Sequence, residues 1–319
     1  MNLSDKPLVS ICVATYNGER YIKEQIDSLL QQSYKNIEII VQDDCSSDMT
    51  VDILREYSDK IKLFVNEKNL GYIKNFESLI QRANGDFIAL CDQDDIWETN
   101  KLELLLTNID SNTLIYSNSL LIDANGNSLN ITLKDKLRNN FISSTTALNF
   151  LFDNSVSAHA MLFKRELLPL IRQFPKTCYF DQYIAATAAS LRGVVYLDKE
   201  LVQYRQHANN TLGNRPKNKH SILQKIQKKL QKKEEANRQT QLIIKEFLTI
   251  PSLSPDEEEI LQKIYTITKA WSLSWFNINA LQFYLKFKNI LFSITTQNKV
   301  KLSVKKSIGY KFYQYLPFL

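Results

Sequence analysis

The chain is poor in the residues that would announce several common architectures. Its four cysteines, Cys12, Cys45, Cys91 and Cys178, are scattered without close-pair spacing, which argues against a zinc site and points to buried thiols rather than a disulfide framework. There is no P-loop and no glycine-rich phosphate fingerprint. The first turn after the leading apolar run reads Ala14-Thr-Tyr-Asn-Gly-Glu19, which disfavours an ordinary dinucleotide site. No uninterrupted apolar stretch approaches the roughly 18 residues of a spanning helix. Met1 to Pro7 lacks the basic region, apolar core and cleavage site of a secretory signal, so the expected location is cytoplasmic. Acidic residues are absent after Glu259.

What is present suits a folded protein with ample core: 319 residues, 44% hydrophobic and 23% charged, enough for one large domain with an appendage. The net charge of +6 hides an uneven distribution. Up to Asn214 there are 21 Lys and Arg against 27 Asp and Glu, and from Arg215 onward 19 against 7. This shift places a boundary between an acidic region, 1–214, and a basic one, 215–319.

The first region alternates strand and helix signals. Leu8–Ala14, Ile37–Val41, Ile61–Val65 and Asp86–Cys91 are short β-rich apolar runs. Between them, Tyr21–Leu30, Thr50–Tyr57 and Tyr72–Ala83 carry helical spacing. Strands alternating with helices predict an α/β fold with a mostly parallel sheet flanked by helices. In such sheets ligands collect beyond the carboxyl ends of the strands. Three polar clusters fall there: Thr15-Tyr16-Asn17, Asp43-Asp44, and Asp92-Gln93-Asp94-Asp95. Carboxylates crowded into one tight loop repel each other unless a cation neutralises them. Hard oxygen ligands suit Mg²⁺ or Mn²⁺, whose coordination is commonly completed by substrate phosphates and water. A solvated acidic turn capping a helix near Trp97 is the structural alternative.

These clusters carry a family resemblance. Val9-Ser-Ile-Cys-Val-Ala-Thr-Tyr-Asn17, Val41-Gln-Asp-Asp-Cys-Ser-Ser-Asp48, Asn69-Leu-Gly71 and Asp86-Phe-Ile-Ala-Leu-Cys-Asp-Gln-Asp-Asp95 occur in the order and spacing of the inverting family 2 glycosyltransferases with the GT-A fold. The resemblance spans about residues 8 to 212. Asn69-Leu-Gly-Tyr-Ile-Lys-Asn-Phe76, Cys91-Asp-Gln-Asp-Asp-Ile-Trp97 and Tyr204-Arg-Gln-His-Ala-Asn-Asn210 are more particularly similar to bacterial polysaccharide rhamnosyltransferases.

The resemblance implies a nucleotide-sugar donor held by Thr15, Tyr16, Asn17, Asp43 and Asp44, with Asn69 and Lys74 near the nucleotide or its phosphates. Asp92 then lies beside ribose and metal, Asp94 is the principal metal ligand, and Asp95 supports the loop. His207 reaches the metal or the diphosphate, and Arg205 offers a forked donor to phosphate oxygens. Trp97 and His159 are assigned to the acceptor side. Inverting transfer also needs a base separate from the metal-bound set. Asp181, in Cys178-Tyr-Phe-Asp-Gln-Tyr183, matches the family's base position, although many members carry a Glu-Asp pair where this chain has Phe180-Asp181. The alternatives are structural: Asp43, Asp44, Asp48 and Asp181 as helix caps, and Tyr16 as a packed aromatic.

The basic region reads as amphipathic helices over Arg215–Gln241 and Ile260–Phe292. Its lysines and aromatics, including Trp271, Trp275, Lys305, Lys306, Tyr310 and Phe318, suit an anionic membrane surface and a lipid-linked saccharide acceptor. A helical subdomain packed on the sheet, or an oligomer contact, is the alternative. Nucleic acid is disfavoured by the acidic first region and the lack of a recognised motif. A non-catalytic sugar-binding module needs neither the acidic loop nor Asp181. A nucleotidyltransferase should show a glycine- and arginine-rich first loop, which is missing.

Overall fold

The structure, a computed structural model, describes residues 6–207, 222–270 and 277–307. The strands β1 (Val9–Thr15), β2 (Ile37–Asp43), β3 (Lys62–Val65) and β4 (Phe87–Cys91) pair in parallel in the order β3-β2-β1-β4. The helices α1 (Ile22–Leu30), α2 (Thr50–Arg55) and α3 (Tyr72–Ile80) connect them. The apolar runs are continuous because both faces of the sheet are covered. In β1, Val9, Ile11 and Val13 face one hydrophobic cluster and Cys12 the other; in β4, Ala89 and Cys91 face the first, Ile88 and Leu90 the second. This is the two-residue alternation of a strand.

Beyond β4 the sheet stops being simple. A two-residue strand, β5 (Ile96–Trp97), takes the place of the expected helix start, and α4 (Lys101–Asn108) follows. Next come β6 (Leu114–Ile122), β7 (Ser128–Thr132), α5 (Leu133–Leu137), β8 (Met161–Lys164), α6 (Phe180–Leu191) and β9 (Val194–Arg205). β8 runs antiparallel to both β4 and β6, while β9 lies parallel to β6 and carries β5 on its other edge. Tyr204 and Arg205 belong to the β9 ladder, paired with Leu121 and Ile122 of β6.

The basic region forms α7 (Ile222–Phe247), α8 (Pro255–Ala270), α9 (Ile278–Leu291) and α10 (Lys299–Ser307). These helices have no core of their own. Ile244, Phe247, Leu261, Ile264, Tyr284 and Phe292 join the same buried cluster as Phe76, Leu79, Phe180 and Ile184. Glu257 of α8 accepts hydrogen bonds from the Thr146 hydroxyl at 2.7 Å and the Ala147 N–H at 2.8 Å. The 214/215 boundary falls outside the described residues, as do Trp271, Trp275, Tyr310 and Phe318. Among the described residues no helix is long and apolar enough to cross a membrane.

Candidate active site

The carboxyl ends of β1, β2 and β4 lie side by side, because Thr15 pairs with Asp43 and Val13 with Cys91 in the parallel register. The first two ends are tightly bonded. Asp43, fully buried, accepts from the Thr15 hydroxyl at 3.2 Å and from the Ser46 N–H and hydroxyl at 2.8 and 2.5 Å. Asn17 takes a left-handed backbone, φ 48°, which asparagine tolerates, and its Oδ1 accepts the Ser47 N–H at 2.9 Å. Asp44 accepts from Asn66 Nδ2 and from the N–H groups of Leu70 and Gly71, each at 2.8 Å. Asn69 closes the same loop by accepting the Gly71 N–H at 3.0 Å. Gly71, with φ 82°, turns the chain into α3. Tyr16 keeps an exposed ring, while its N–H donates to Gln93 Oε1 at 2.7 Å and its carbonyl accepts from Gln93 Nε2 at 3.1 Å. Asp43 and Asp44 are thus invested in loop architecture, and Thr15 is buried behind them. Lys74 pairs with Glu77 on its own helix.

The loop after β4 is the reverse. Its carboxylates are crowded and incompletely satisfied. Asp95 is fully buried; its Oδ1 accepts the Arg205 N–H at 3.1 Å, whereas its Oδ2 has no hydrogen-bond partner. Burial, reinforced by the charges of Asp94 and Asp92, raises the Asp95 carboxyl well above the usual range. Asp92 stays partly open, yet burial around it and the charges of Asp94 and Asp181 push it up to about 7 against the pull of Lys101. Asp181 is thus near enough to Asp92 for its charge to bear on it. Asp94 Oδ2 lies 2.7 Å from His207 Nε2.

His159 departs from its expected place at the acceptor side. It is buried, its ring stacks on Tyr204 at 4.4 Å, Nε2 meets the Ser119 hydroxyl at 3.0 Å, and Nδ1 lies 3.8 Å from Asp92 Oδ2. One ligand atom from each of Asp92, Asp95 and His159 lies within 4.8 Å of the others, a grouping able to hold a metal ion. Burial and the Lys101 charge lower His159 to about 3, so its imidazole is neutral and has a lone pair to offer. The donor set fits a divalent cation: hard carboxylates and the neutral His159 imidazole, raised acid groups that a cation would relieve, and an orphaned buried oxygen on Asp95.

Two further expectations are corrected. Arg205 does not present its fork to the cleft. Its side chain is 2% exposed; Nε donates to the Asp94 carbonyl at 2.8 Å, Nη2 pairs with Glu24 at 2.5 Å, and the guanidinium lies 4.6 Å from the Tyr21 ring centre. It braces the acidic loop from beneath, because its place in the β9 ladder turns the side chain inward. Trp97 is buried in the cluster that holds Val9, Ile11 and Val13, with the Lys101 ammonium 3.2 Å from its ring centre. It cannot shape an acceptor surface from there.

Asp181 sits in the first turn of α6, two residues past the Tyr179 N-cap. Its Oδ1 accepts the N–H of Gln182 at 2.7 Å. Burial pushes it up to about 7 against this and its own backbone N–H, the poise of a general base near neutral pH.

Sequence reasoning missed Gln93, Glu24 and Lys101. Lys101 is fully buried, donates to the His159 carbonyl at 2.6 Å, and is lowered to about 7 by burial. Its one available signal was a lysine immediately before Leu102 and three and four residues before Leu104 and Leu105 in an otherwise apolar helix face.

Comparison with known proteins agrees with this architecture. A family model described as Glycosyl transferase family 2 matches residues 10–169, half of the chain. The dTDP-rhamnosyl transferase RfbG of Shigella flexneri is 29% identical over 221 residues, 63% of this chain and 73% of that one. The UDP-Glc:alpha-D-GlcNAc-diphosphoundecaprenol beta-1,3-glucosyltransferase WfgD of Escherichia coli is 41% identical over 124 residues, 38% of this chain and 49% of that one. The crystal structure of S. aureus TarS 1–349 with UDP superposes with a TM-score of 0.57 at 20% identity, covering 96% of this chain and 89% of that one, which shows the shared GT-A fold. With the family's model matched from β1 through the acidic loop and β8, the chain belongs to the family 2 glycosyltransferases and uses a nucleotide-sugar donor.

Proposed function

We propose that the protein transfers a sugar, with inversion, from a nucleoside diphosphate donor to a hydroxyl of a saccharide acceptor in bacterial surface-polysaccharide assembly. The observation that carries this is the under-satisfied Asp92–Asp95 loop, where Asp92, Asp95 and His159 converge and one buried Asp95 oxygen has no hydrogen-bond partner, with Asp181 near enough for its charge to bear on Asp92. Tyr16 and the loops closed by Asn17, Asp43, Asp44 and Asn69 form the wall against which the nucleotide lies. Asp94 and His207, with Asp92 beside them, hold Mg²⁺ or Mn²⁺; Asp95 and His159 complete the donor set on the inner side. When bound, the cation offsets the negative charge of the departing diphosphate. Arg205 keeps Asp94 and Asp95 in register without touching substrate. Asp181 takes the proton from the acceptor hydroxyl as its oxygen attacks the anomeric carbon.

L-Rhamnose from dTDP-rhamnose is the preferred donor reading, supported by the motifs around Asn69, Asp92 and Tyr204 and by the likeness to RfbG. A hexose or N-acetylhexosamine from a UDP donor is the second reading, favoured by the likeness to WfgD. The acceptor is lipid-linked and reached at an anionic membrane surface. On α10, exposed Val300 and Val304 run beside exposed Lys301 and Lys305, an arrangement suited to a headgroup region.

Calorimetric titration with dTDP-rhamnose, UDP-glucose and UDP-N-acetylglucosamine, each with Mn²⁺ and with chelator, tests the reading. Metal-dependent binding of dTDP-rhamnose above the others is expected, and Asp94→Ala should abolish the metal dependence. Tighter binding of a UDP-sugar discards rhamnose. Metal-independent binding of every donor discards the metal site.

A further inference from the structure

Asp181 is delivered to the cleft by a stretch with no helix or strand of its own, residues 171–179. No ladder fixes this strap, so its position depends on individual contacts from either side. On the sheet side, the Phe174 N–H donates to Glu77 Oε1 at 2.6 Å, and the Phe174 ring stacks on Phe180 at 4.9 Å. Phe180 in turn lies 5.3 Å from Phe76 of α3. On the other side the contacts come from the C-terminal region. The Thr177 carbonyl accepts from Gln239 Nε2, and the Thr177 hydroxyl donates to Glu246 Oε1 at 3.1 Å. Gln239 and Glu246 are seven residues apart on α7, two turns and therefore one face. The end of α7 that grips the strap is fixed by buried Ile244 and Phe247. Just beyond it, the Ser252 and Ser190 hydroxyls meet at 2.7 Å, tying the far end of α6 to the same region.

We propose that Gln239 and Glu246 are positioning residues of the active site: they clamp Thr177 and so set where Asp181 stands, making the C-terminal helices part of the catalytic centre rather than an appendage to it. The inference rests on Asp181 being the base. A base displaced by a fraction of its reach loses alignment with the acceptor hydroxyl, whereas the donor pocket, built on β1, β2 and β4, is untouched. The clamp therefore acts on turnover and not on donor affinity.

The test uses the full chain with Mn²⁺ and whichever of dTDP-rhamnose, UDP-glucose or UDP-N-acetylglucosamine it hydrolyses fastest, with water as acceptor. The Gln239→Ala/Glu246→Ala variant is expected to lose about tenfold or more in kcat with donor KM held within about twofold of wild type. Amide hydrogen exchange should accelerate over residues 175–181 while β1 and β4 stay protected. Gln239→Ala with Glu246→Gln, which keeps an oxygen for the Thr177 hydroxyl, should recover part of the rate; this milder pair also decides the matter if the double alanine variant fails to fold. Unchanged kcat beside an inactive Asp181→Asn overturns the clamp, as does unchanged exchange over the strap. Full turnover by Asp181→Asn overturns the base assignment itself, and this inference with it.

Discussion

The carboxylates at the end of β2 and those after β4 stand a loop apart, yet their circumstances are opposite. Asp43 and Asp44 between them accept six hydrogen bonds from hydroxyls, an amide and backbone N–H groups. Asp92 and Asp95 are raised by burial and by each other's neighbours, and Asp95 keeps an oxygen with no partner at all. Both pairs are acidic dipeptide-scale signals at strand ends, and by sequence alone they look equivalent. The difference is that a satisfied buried carboxylate holds structure, while an unsatisfied one costs free energy that only a ligand or a proton can recover.

The comparison can be strained at several points. The largest effect is expected at Asp181, which shares the raised state of the acidic loop. Asp181→Asn should lower transfer by about 10²–10⁴-fold while leaving donor binding by calorimetry intact. In the wild type, kcat should rise with pH through about 7 as Asp181 gives up its proton. A flat profile from pH 5 to 8 would remove it as base.

On the satisfied side, Asp44→Ala should act first on stability. It strips the acceptor from two backbone N–H groups and an amide at the entrance to α3, a loss of about 1–3 kcal/mol to be read in denaturant midpoints. If Asp44→Ala leaves the midpoint unchanged and abolishes donor binding, the assignment of Asp44 to architecture is wrong.

The smallest effect sharpens the contrast most. A carboxyl held above its ordinary value keeps its proton in the folded chain after the unfolded chain has lost it, so its cost grows as pH rises from its ordinary value and is complete above about 7, the value for Asp92. His159, lowered to about 3, is neutral at both pH 6 and pH 8. Metal must displace protons at pH 6 that are already gone at pH 8. The rise in Tm on adding Mn²⁺ should therefore be larger at pH 8 than at pH 6, by about 2 °C or more. An equal rise at both would mean that the metal is held by groups ionised throughout.

Much of this was legible from residues. The four parallel strands and their helices follow from apolar runs and turn residues, and the site clusters follow from what stands at the strand ends. The parts that were not legible share a cause: they depend on partners distant in sequence. Arg205 is placed toward phosphate from its motif because the register shift opposite Ser117–Ser119 in β6 breaks the two-residue rhythm of β9, and only the pairing shows that Arg205 points inward. Trp97 looks like a surface aromatic until Lys101 is found over its ring. The amphipathic pattern of the C-terminal helices is the same whether the apolar stripe meets lipid or Phe180 and Ile184, so periodicity could not choose the second. Asp181 was found from the motif, but its place inside the first turn, rather than at the cap position, needed the N-cap at Tyr179.

Gln93 joins the two halves of the comparison. Its single amide bonds both the N–H and the carbonyl of Tyr16, in the loop proposed to face the nucleotide, while its own backbone lies between Asp92 and Asp94, in the loop proposed to hold the metal. Whatever orders one loop has already met part of the entropic cost of ordering the other. With the donor and cation bound as proposed, the two would be thermodynamically linked through one side chain, and the factor by which metal tightens nucleotide would equal the factor by which nucleotide tightens metal.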